Sequence, residues 1–310
     1  MVMKRLFAAA AALFLGAALA MAQDYNAAVD TFNQAIQSES KAERLELVRS
    51  ALTQFLACEE PEAADMVEQC KVIIPETLVS LGKENINNKE YDEAIKFLRE
   101  AVSVASDYGF EDKAIEANKL IPEALMRKGS LLVKNNAFAE AIDVLKEVVI
   151  LDAENGKAWL LLGQSYVKNN QFDESLEVLQ KAAELGQADN ANKLLNNVYI
   201  KLGDNLLKEK KTSDAIAYYE KALEIKDNAQ LVLKIANTYS KAGSNANAIT
   251  WFKRYLEAAP DAANAADVKY TIAATAQKAG DKATAIEYYN MLKGDAKYGA
   301  TAVQMLGQLK

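Results

Sequence analysis

Apolar and small residues recur at fixed offsets along most of the chain. From Pro75 onward, an apolar residue is followed three positions later by a second one and four positions later by glycine or alanine. Twelve residues further comes another small residue, with a large apolar residue four positions after it and one more core position after seven. Offsets of three and four put side chains on one face of an α-helix, so each copy predicts two amphipathic helices.

The pattern occurs six times, and Lys128 and Lys269 are polar at positions that are otherwise apolar. The first-helix positions are Leu78, Leu81, Gly82; Leu125, Lys128, Gly129; Trp159, Leu162, Gly163; Tyr199, Leu202, Gly203; Val232, Ile235, Ala236; and Lys269, Ile272, Ala273. The second-helix positions are Ala94, Leu98, Ala101; Ala141, Leu145, Val148; Ser175, Leu179, Ala182; Ala215, Tyr219, Ala222; Ala248, Phe252, Tyr255; and Ala285, Tyr289, Leu292.

Two small residues that face each other let antiparallel helices approach closely, while the large residues flank the contact. Polar turns lie between the two halves, as at residues 89–93, 169–173 and 210–214, and each has a helix start behind it. Each copy therefore predicts a helical hairpin. A generic amphipathic bundle would not place glycine and alanine at fixed offsets, so consecutive hairpins predict a stacked array.

This spacing resembles the tetratricopeptide repeat family, whose unit carries these apolar and small positions and often a proline near its end, as at Pro260. The resemblance implies an all-α fold, a right-handed α-solenoid of stacked antiparallel helix hairpins, with six repeats over residues 75–293. The small first-helix positions are 47, 34, 40, 33 and 37 residues apart. The longer intervals predict extended helices or insertions at residues 107–120 and 185–193.

The two flanks of the array are predicted to be capping helices. In residues 23–74, Tyr25, Ala28, Phe32 and Ala35 have the second-helix spacing without a preceding first helix, and two more helices are expected over residues 41–57 and 62–73. Residues 294–310 are expected to form a closing helix, because a terminal unit must present a polar outer face.

In residues 1–22, basic, apolar and small residues follow one another in the order typical of a secretory signal peptide. Lys4 and Arg5 precede an apolar run over residues 6–19, and small residues follow at Ala20 and Ala22. The run is too short for a comfortable membrane span. We expect cleavage after Ala22 and an exported chain, periplasmic or associated with the outer envelope, with no membrane span in its mature form. An uncleaved N-terminal anchor helix is the alternative.

Cys58 and Cys70 lie twelve residues apart across a predicted turn. In an exported chain, oxidising conditions allow a disulfide between them. Two buried thiols are the alternative, because the approach of the two Cα atoms does not follow from the sequence.

In tetratricopeptide domains the first helices line the inner, binding surface of the array. The resemblance places inner-face residues one, five and eight positions after the first apolar mark. Lysine and asparagine at such positions clamp a peptide carboxylate in some members, and this chain departs from that arrangement. The positions one and eight after the mark predict instead an apolar groove for an apolar or amphipathic segment of a protein partner. Ten of these twelve positions are apolar: Val79, Met126, Leu160, Ile200, Leu233, Tyr270, Ile86, Val133, Val167 and Leu207. The eighth position turns polar in the last two repeats, at Ser240 and Gln277. The alternative is that neighbouring units or the C-terminal helix bury part of these apolar positions.

Five first helices are predicted to end in lysine: Lys134, Lys168, Lys208, Lys241 and Lys278. Such a series could steer an acidic partner. Favourable interaction of each lysine with its own helix dipole is the alternative.

Composition argues against other classes of function. The net charge of −7 disfavours nucleic acid as a partner. The sequence lacks histidine, and it contains no phosphate-binding loop, nucleophile elbow or cysteine pair with metal spacing. We predict a non-enzymatic interaction scaffold or adaptor of the periplasm or cell envelope, without cofactor or metal. A holding chaperone for exported polypeptides is the alternative, and a histidine-free enzyme is a third hypothesis that no motif supports.

Overall fold

The computed structural model describes residues 24–309, so the predicted signal peptide and its cleavage point lie outside the described residues. Within this range, all regular elements are helices and no strand occurs. The helices are α1 (Tyr25–Gln37), α2 (Lys41–Leu56), α3 (Ala63–Asn88), α4 (Tyr91–Asp107), α5 (Glu111–Lys134), α6 (Phe138–Leu151), α7 (Gly156–Lys168), α8 (Phe172–Ala182), α9 (Ala188–Lys208), α10 (Thr212–Ile225), α11 (Ala229–Lys241), α12 (Asn245–Ala258), α13 (Ala265–Lys278), α14 (Lys282–Met291) and α15 (Gly299–Gln308). Residues Ala183–Gln187 form a π-helical turn between α8 and α9.

The chain forms two compact units. The N-terminal unit contains the described residues 24–135 together with 143–152, and the C-terminal unit contains residues 136–142 and 153–309. In the N-terminal unit, α3 packs on α4 and α4 packs on α5. In the C-terminal unit, the hairpins are α7 with α8, α9 with α10, α11 with α12, and α13 with α14.

The repeated positions of the sequence pattern form the cores of these units. All of them are buried except Lys128, Trp159 and Lys269, which are half-buried. The indole nitrogen of Trp159 donates to the carbonyl of Ala153 at 2.8 Å. In the C-terminal unit, one continuous hydrophobic core extends from Leu179 to Leu309. The prediction of an all-α, tetratricopeptide-like fold of stacked hairpins is confirmed.

Each turn inside a predicted repeat contains one residue in the left-handed region of backbone space. These residues have φ values from 60° to 80°: Lys89, Asn136, Asn170, Lys210, Gly243 and Gly280. In five of these turns, the residue after the left-handed one donates its N–H to a carbonyl five positions earlier, as from Gln171 to Tyr166 at 2.9 Å. This bond occupies a carbonyl that the end of the first helix leaves open. Sequence analysis located the turns but not this conformation.

The structure differs from the sequence prediction around residue 74. The expected helix over residues 62–73 and the first helix of the first repeat are a single helix, α3, which continues through Pro75. Proline lacks the N–H that would bond to the carbonyl of Lys71, but its neighbours Ile74 and Leu78 are buried and hold the helix against the core. The predicted boundary between cap and repeats thus falls inside one helix, and the limits of the six repeats stay a prediction.

The two long repeat intervals correspond to extended helices. Helix α5 has 24 residues and contains Pro122, and α9 has 21 residues. The π-helical turn before α9 is made possible by Gly186, whose φ of 84° suits glycine. Across residues 24–309, no helix combines the length and the apolar character that crossing a membrane requires.

Candidate functional site

Six apolar side chains occupy equivalent positions on the first helices of the C-terminal unit. We call them the apolar row: Leu160 and Val167 on α7, Ile200 and Leu207 on α9, Leu233 on α11, and Tyr270 on α13. All six are half-buried, and all pack against the core of the unit. Each of these side chains therefore contacts the core on one side and keeps part of its apolar surface exposed.

The corresponding positions in the N-terminal unit behave differently. Met126 and Val133 on α5 are half-buried. Val79 and Ile86 on α3 are only 3% and 5% exposed. Helix α3 packs against α2, α4 and α5, which covers these two side chains. A partner cannot reach them in this structure. Val79 and Ile86 therefore follow the alternative interpretation, in which neighbouring units bury part of the predicted groove.

Tyr270 lies at one end of the apolar row and is partly covered by the chain itself. Its ring stacks on Tyr298, with 4.5 Å between ring centroids and 13° between ring planes. The hydroxyl of Tyr298 donates to Asp267 Oδ1 at 2.8 Å, and Lys297 Nζ binds the same oxygen at 2.7 Å. These two hydrogen bonds lower the pKa of Asp267, and the hydrogen bond to Asp267 raises the pKa of Lys297. The segment before α15 therefore occupies part of the surface around Tyr270.

A polar cluster connects three helices beside the middle of the row. Asp204, five positions after the apolar mark on α9, accepts a hydrogen bond from Lys234 on α11. It also accepts one from the hydroxyl of Tyr219 on α10 at 2.5 Å. Burial alone would raise the pKa of Asp204, but these two hydrogen bonds outweigh burial and lower it. The Tyr219 ring is buried, and burial together with Asp204 raises the pKa of its hydroxyl.

Sequence analysis did not identify this cluster. Its signal was a tyrosine, Tyr219, at a position where the first three repeats have leucine. A buried tyrosine requires a hydrogen-bond partner, which could have directed attention to a polar residue on the facing helix.

The five predicted lysines each form the last residue of a first helix: Lys134, Lys168, Lys208, Lys241 and Lys278. All are exposed. This position is favourable for interaction with the helix dipole. Within residues 24–309, none of them makes an ion pair, so their charge is also available to a partner.

Two surface clefts of the C-terminal unit lie outside the apolar row. The larger is a polar cleft of about 760 Å³ lined by Asp189, Asn192, Lys193, Asn196, Asn197, Ile225 and Lys226. A second cleft, of about 510 Å³, is lined by Ile286, Asn290, Lys293, Val303, Leu306 and Gly307. Asn196 Nδ2 donates to the carbonyl of Ala222 at 2.7 Å, which fixes α9 to the end of α10. Sequence analysis missed both clefts.

Both cysteines are thiols in the structure. Cys70 is buried, and burial raises its pKa to about 11. Cys58 is half-buried, and its Sγ donates to the carbonyl of Gln54 at 3.3 Å. The disulfide between them stays a prediction. Among the residues that the structure describes, no three His, Cys, Asp or Glu side chains come together as metal ligands would.

The helical hairpins, their buried repeat positions and their repeated turns define a helical repeat protein. Tetratricopeptide repeat models match residues 75–108, 132–198 and 206–269. The chain belongs to the tetratricopeptide repeat family. This fold indicates a protein–protein interaction scaffold, and proteins of the family are typically non-enzymatic interaction modules. No curated protein matches the chain.

Several solved structures are similar to the chain. YrrB, a TPR protein with an unusual peptide-binding site, is 20% identical over 63% of this chain and 96% of its own, with a TM-score of 0.34. MamA is 22% identical over 60% of this chain and 92% of its own, with a TM-score of 0.33. PilF of Pseudomonas aeruginosa is 18% identical over 77% of this chain and 99% of its own, with a TM-score of 0.31.

Proposed function

We propose that this protein is a non-enzymatic adaptor that binds a segment of a protein partner along the apolar row of its C-terminal unit. The observation that carries the proposal is that Leu160, Ile200 and Leu233 occupy equivalent positions on three successive first helices. Each is half-buried and packs on the core. Covering such apolar surface is favourable, and little side-chain entropy is lost on binding where the side chains already pack on the core.

The form of the row suits an elongated apolar or amphipathic segment. Val167 and Leu207 lie seven residues after Leu160 and Ile200 on the same helices, so each of these helices offers two contacts about two turns apart. A helix or an extended chain laid across α7, α9 and α11 meets an apolar side chain at each one. Met126 and Val133 form a separate candidate contact in the N-terminal unit.

We further propose that the protein works outside the cytoplasm, in the periplasm or the cell envelope. The support is the arrangement of basic, apolar and small residues in residues 1–22. Sequencing of the N-terminus of the protein isolated from its natural cells tests this. A chain beginning at Gln23 supports export and cleavage, and a chain retaining residues 1–22 contradicts them.

Affinity capture with matched variants tests the binding surface. The variant Leu160→Glu/Ile200→Glu places two charges in the apolar row. The control Val303→Glu/Met291→Glu places two charges on apolar side chains of the same unit that are 57% and 53% exposed and lie outside the row. We expect wild type and control to capture the same one or two proteins, and the row variant to lose them.

A loss of capture by the row variant could also come from a disturbed fold. Because Leu160 and Ile200 pack on the core, the variant Leu160→Ala/Ile200→Ala is measured in parallel, with thermal unfolding confirming the fold. Capture of many unrelated exported polypeptides would favour the holding chaperone over the adaptor. Equal capture by wild type and both row variants would contradict a binding role for the apolar row.

A further inference from the structure

The charged residues of the C-terminal unit are unevenly divided between first and second helices. The first helices α7, α9, α11 and α13 contain nine lysines and three aspartates. The second helices α8, α10, α12 and α14 contain five basic and eight acidic residues. A protein with a net charge of −7 therefore concentrates positive charge on the helices that carry its apolar row.

The N-terminal unit lacks this division. Its first helices α3 and α5 contain seven basic and eight acidic residues. Basic residues are at least as frequent on these two helices, and α5 also ends in a lysine, Lys134. The net positive charge of the first helices in the C-terminal unit therefore results from their small number of carboxylates.

Ion pairs inside the C-terminal unit neutralise two of its three first-helix aspartates. Asp204 accepts from Lys234 and from Tyr219. Asp267 accepts from Lys297 and from Tyr298. The third, Asp189, lies in the first turn of α9, far along the helix from the apolar row. Close to the row, the carboxylates are thus already occupied.

The lysines nearest the apolar row, unlike the two paired aspartates, have no ion-pair partner among the described residues. Lys168 and Lys208 directly follow the row residues Val167 and Leu207, and Lys241 and Lys278 occupy the equivalent helix ends. All four are exposed, and in the part of the chain that the structure describes none makes an ion pair. Because they end four equivalent helices of one unit, they form a charged line along one edge of the row.

We infer that the segment bound by the apolar row is acidic and amphipathic, with apolar residues on the row and carboxylates on Lys168, Lys208, Lys241 and Lys278. This inference rests on the proposed function and specifies the partner's chemistry. Complementary charge along one edge speeds association and fixes the direction in which the segment lies.

Two observations favour an acidic peptide over nucleic acid for this surface. The four first helices contain lysine and no arginine, although arginine is the residue best suited to bind phosphate through two hydrogen bonds. The charged line also borders an apolar row with a tyrosine at one end only, which gives successive bases few rings for stacking.

Two synthetic peptides provide the test. Both are amphipathic helices with the same leucine face, and one carries glutamate where the other carries glutamine. Their affinities are measured by fluorescence anisotropy for the full chain, for the row-edge variant Lys168→Gln/Lys208→Gln/Lys241→Gln/Lys278→Gln, and for a control variant Lys157→Gln/Lys193→Gln/Lys226→Gln/Lys293→Gln. The control removes the same charge from exposed lysines elsewhere in the unit.

We expect wild type to bind the glutamate peptide about tenfold more tightly than the glutamine peptide, the size expected from several weak ion pairs. The control variant should keep this preference, while the row-edge variant and about 0.5 M salt should abolish it. If wild type binds both peptides with equal affinity and the variant Leu160→Glu/Ile200→Glu binds neither, the acidic partner is overturned. The proposed function is then left intact. Failure of both peptides to bind would contradict the proposed function as well. Tighter binding of a single-stranded oligonucleotide, dependent on the same four lysines, would overturn the inference in favour of nucleic acid.

Discussion

A Cβ atom placed on Gly163 would lie 2.4 Å from Cδ2 of Leu179. Gly163 is on α7 and Leu179 is on α8, so the missing side chain of one helix makes room for the large side chain of the other. The same relationship joins Gly82 to Leu98 at 2.6 Å, Gly129 to Leu145 at 2.7 Å and Gly203 to Tyr219 at 2.5 Å. The small and large positions of the sequence pattern are therefore the two halves of one contact. The sequence pattern predicted instead that the small residues of the two helices face each other and that the large residues lie beside them.

A valine at position 163 should destabilise the protein. Gly163→Val overfills the contact with Leu179, and we expect the free energy of unfolding to fall by about 2 kcal/mol. Chemical denaturation measures this change. Gly294→Ala is the control, because a Cβ there meets nothing within 4 Å. Adding Leu179→Ala to Gly163→Val should cost less than the sum of the two single changes, and strict additivity would contradict the contact.

A glycine in place of Lys210 should stabilise the protein. Lys210 adopts a φ of 63° in the turn between α9 and α10, a conformation that costs a residue with a Cβ more than it costs glycine. The equivalent turns further along the chain use Gly243 and Gly280. We expect Lys210→Gly to raise the free energy of unfolding by about 0.5–1 kcal/mol. Lys226→Gly, outside any such turn, serves as the control, and a destabilised Lys210→Gly would contradict the account.

The contribution of Asp204 to stability should depend on pH. Its folded-state pKa is lowered by Lys234 and Tyr219 in spite of burial, so its contribution is present at neutral pH and is lost as the pH falls through the folded-state pKa. We expect Asp204→Asn to cost about 1 kcal/mol at pH 7, a value that allows for its partial exposure. The cost should shrink as the pH falls below about 4. Denaturation curves of wild type and variant across this range measure it, and a cost independent of pH would contradict the ionised contact.

The repeat positions could be predicted from the sequence because each depends on residues close along the chain. The spacing of Gly163 and Leu179 encodes a contact inside one hairpin, and both are buried as expected. The stacking of Tyr298 on the ring of Tyr270 could not be predicted, because Tyr298 belongs to a segment with no repeat pattern. Burial of Val79 and Ile86 depends on α2 and α5, which the pattern of α3 alone does not describe.

The two cysteines should differ in reactivity. The thiolate is the reactive form, and burial raises the pKa of Cys70 to about 11. We expect a thiol reagent to modify Cys58, which is half-buried, well before Cys70. Cys70 should react once denaturant unfolds the N-terminal unit. Mass spectrometry of the protein from its natural cells distinguishes the predicted disulfide, which would leave both residues unmodified and lower the mass by two hydrogens.

Site-specific photo-crosslinking in living cells shows whether a partner lies along the apolar row. A photoreactive residue replaces Leu160 or Leu233 in the apolar row, or Glu177, an exposed residue of the second helix α8, as the matched position outside it. Captured proteins are identified by mass spectrometry. We expect the same one or two dominant adducts from Leu160 and Leu233 and none from Glu177. Adducts that form equally from Glu177, or that are absent from both row positions, would contradict a partner bound along the apolar row.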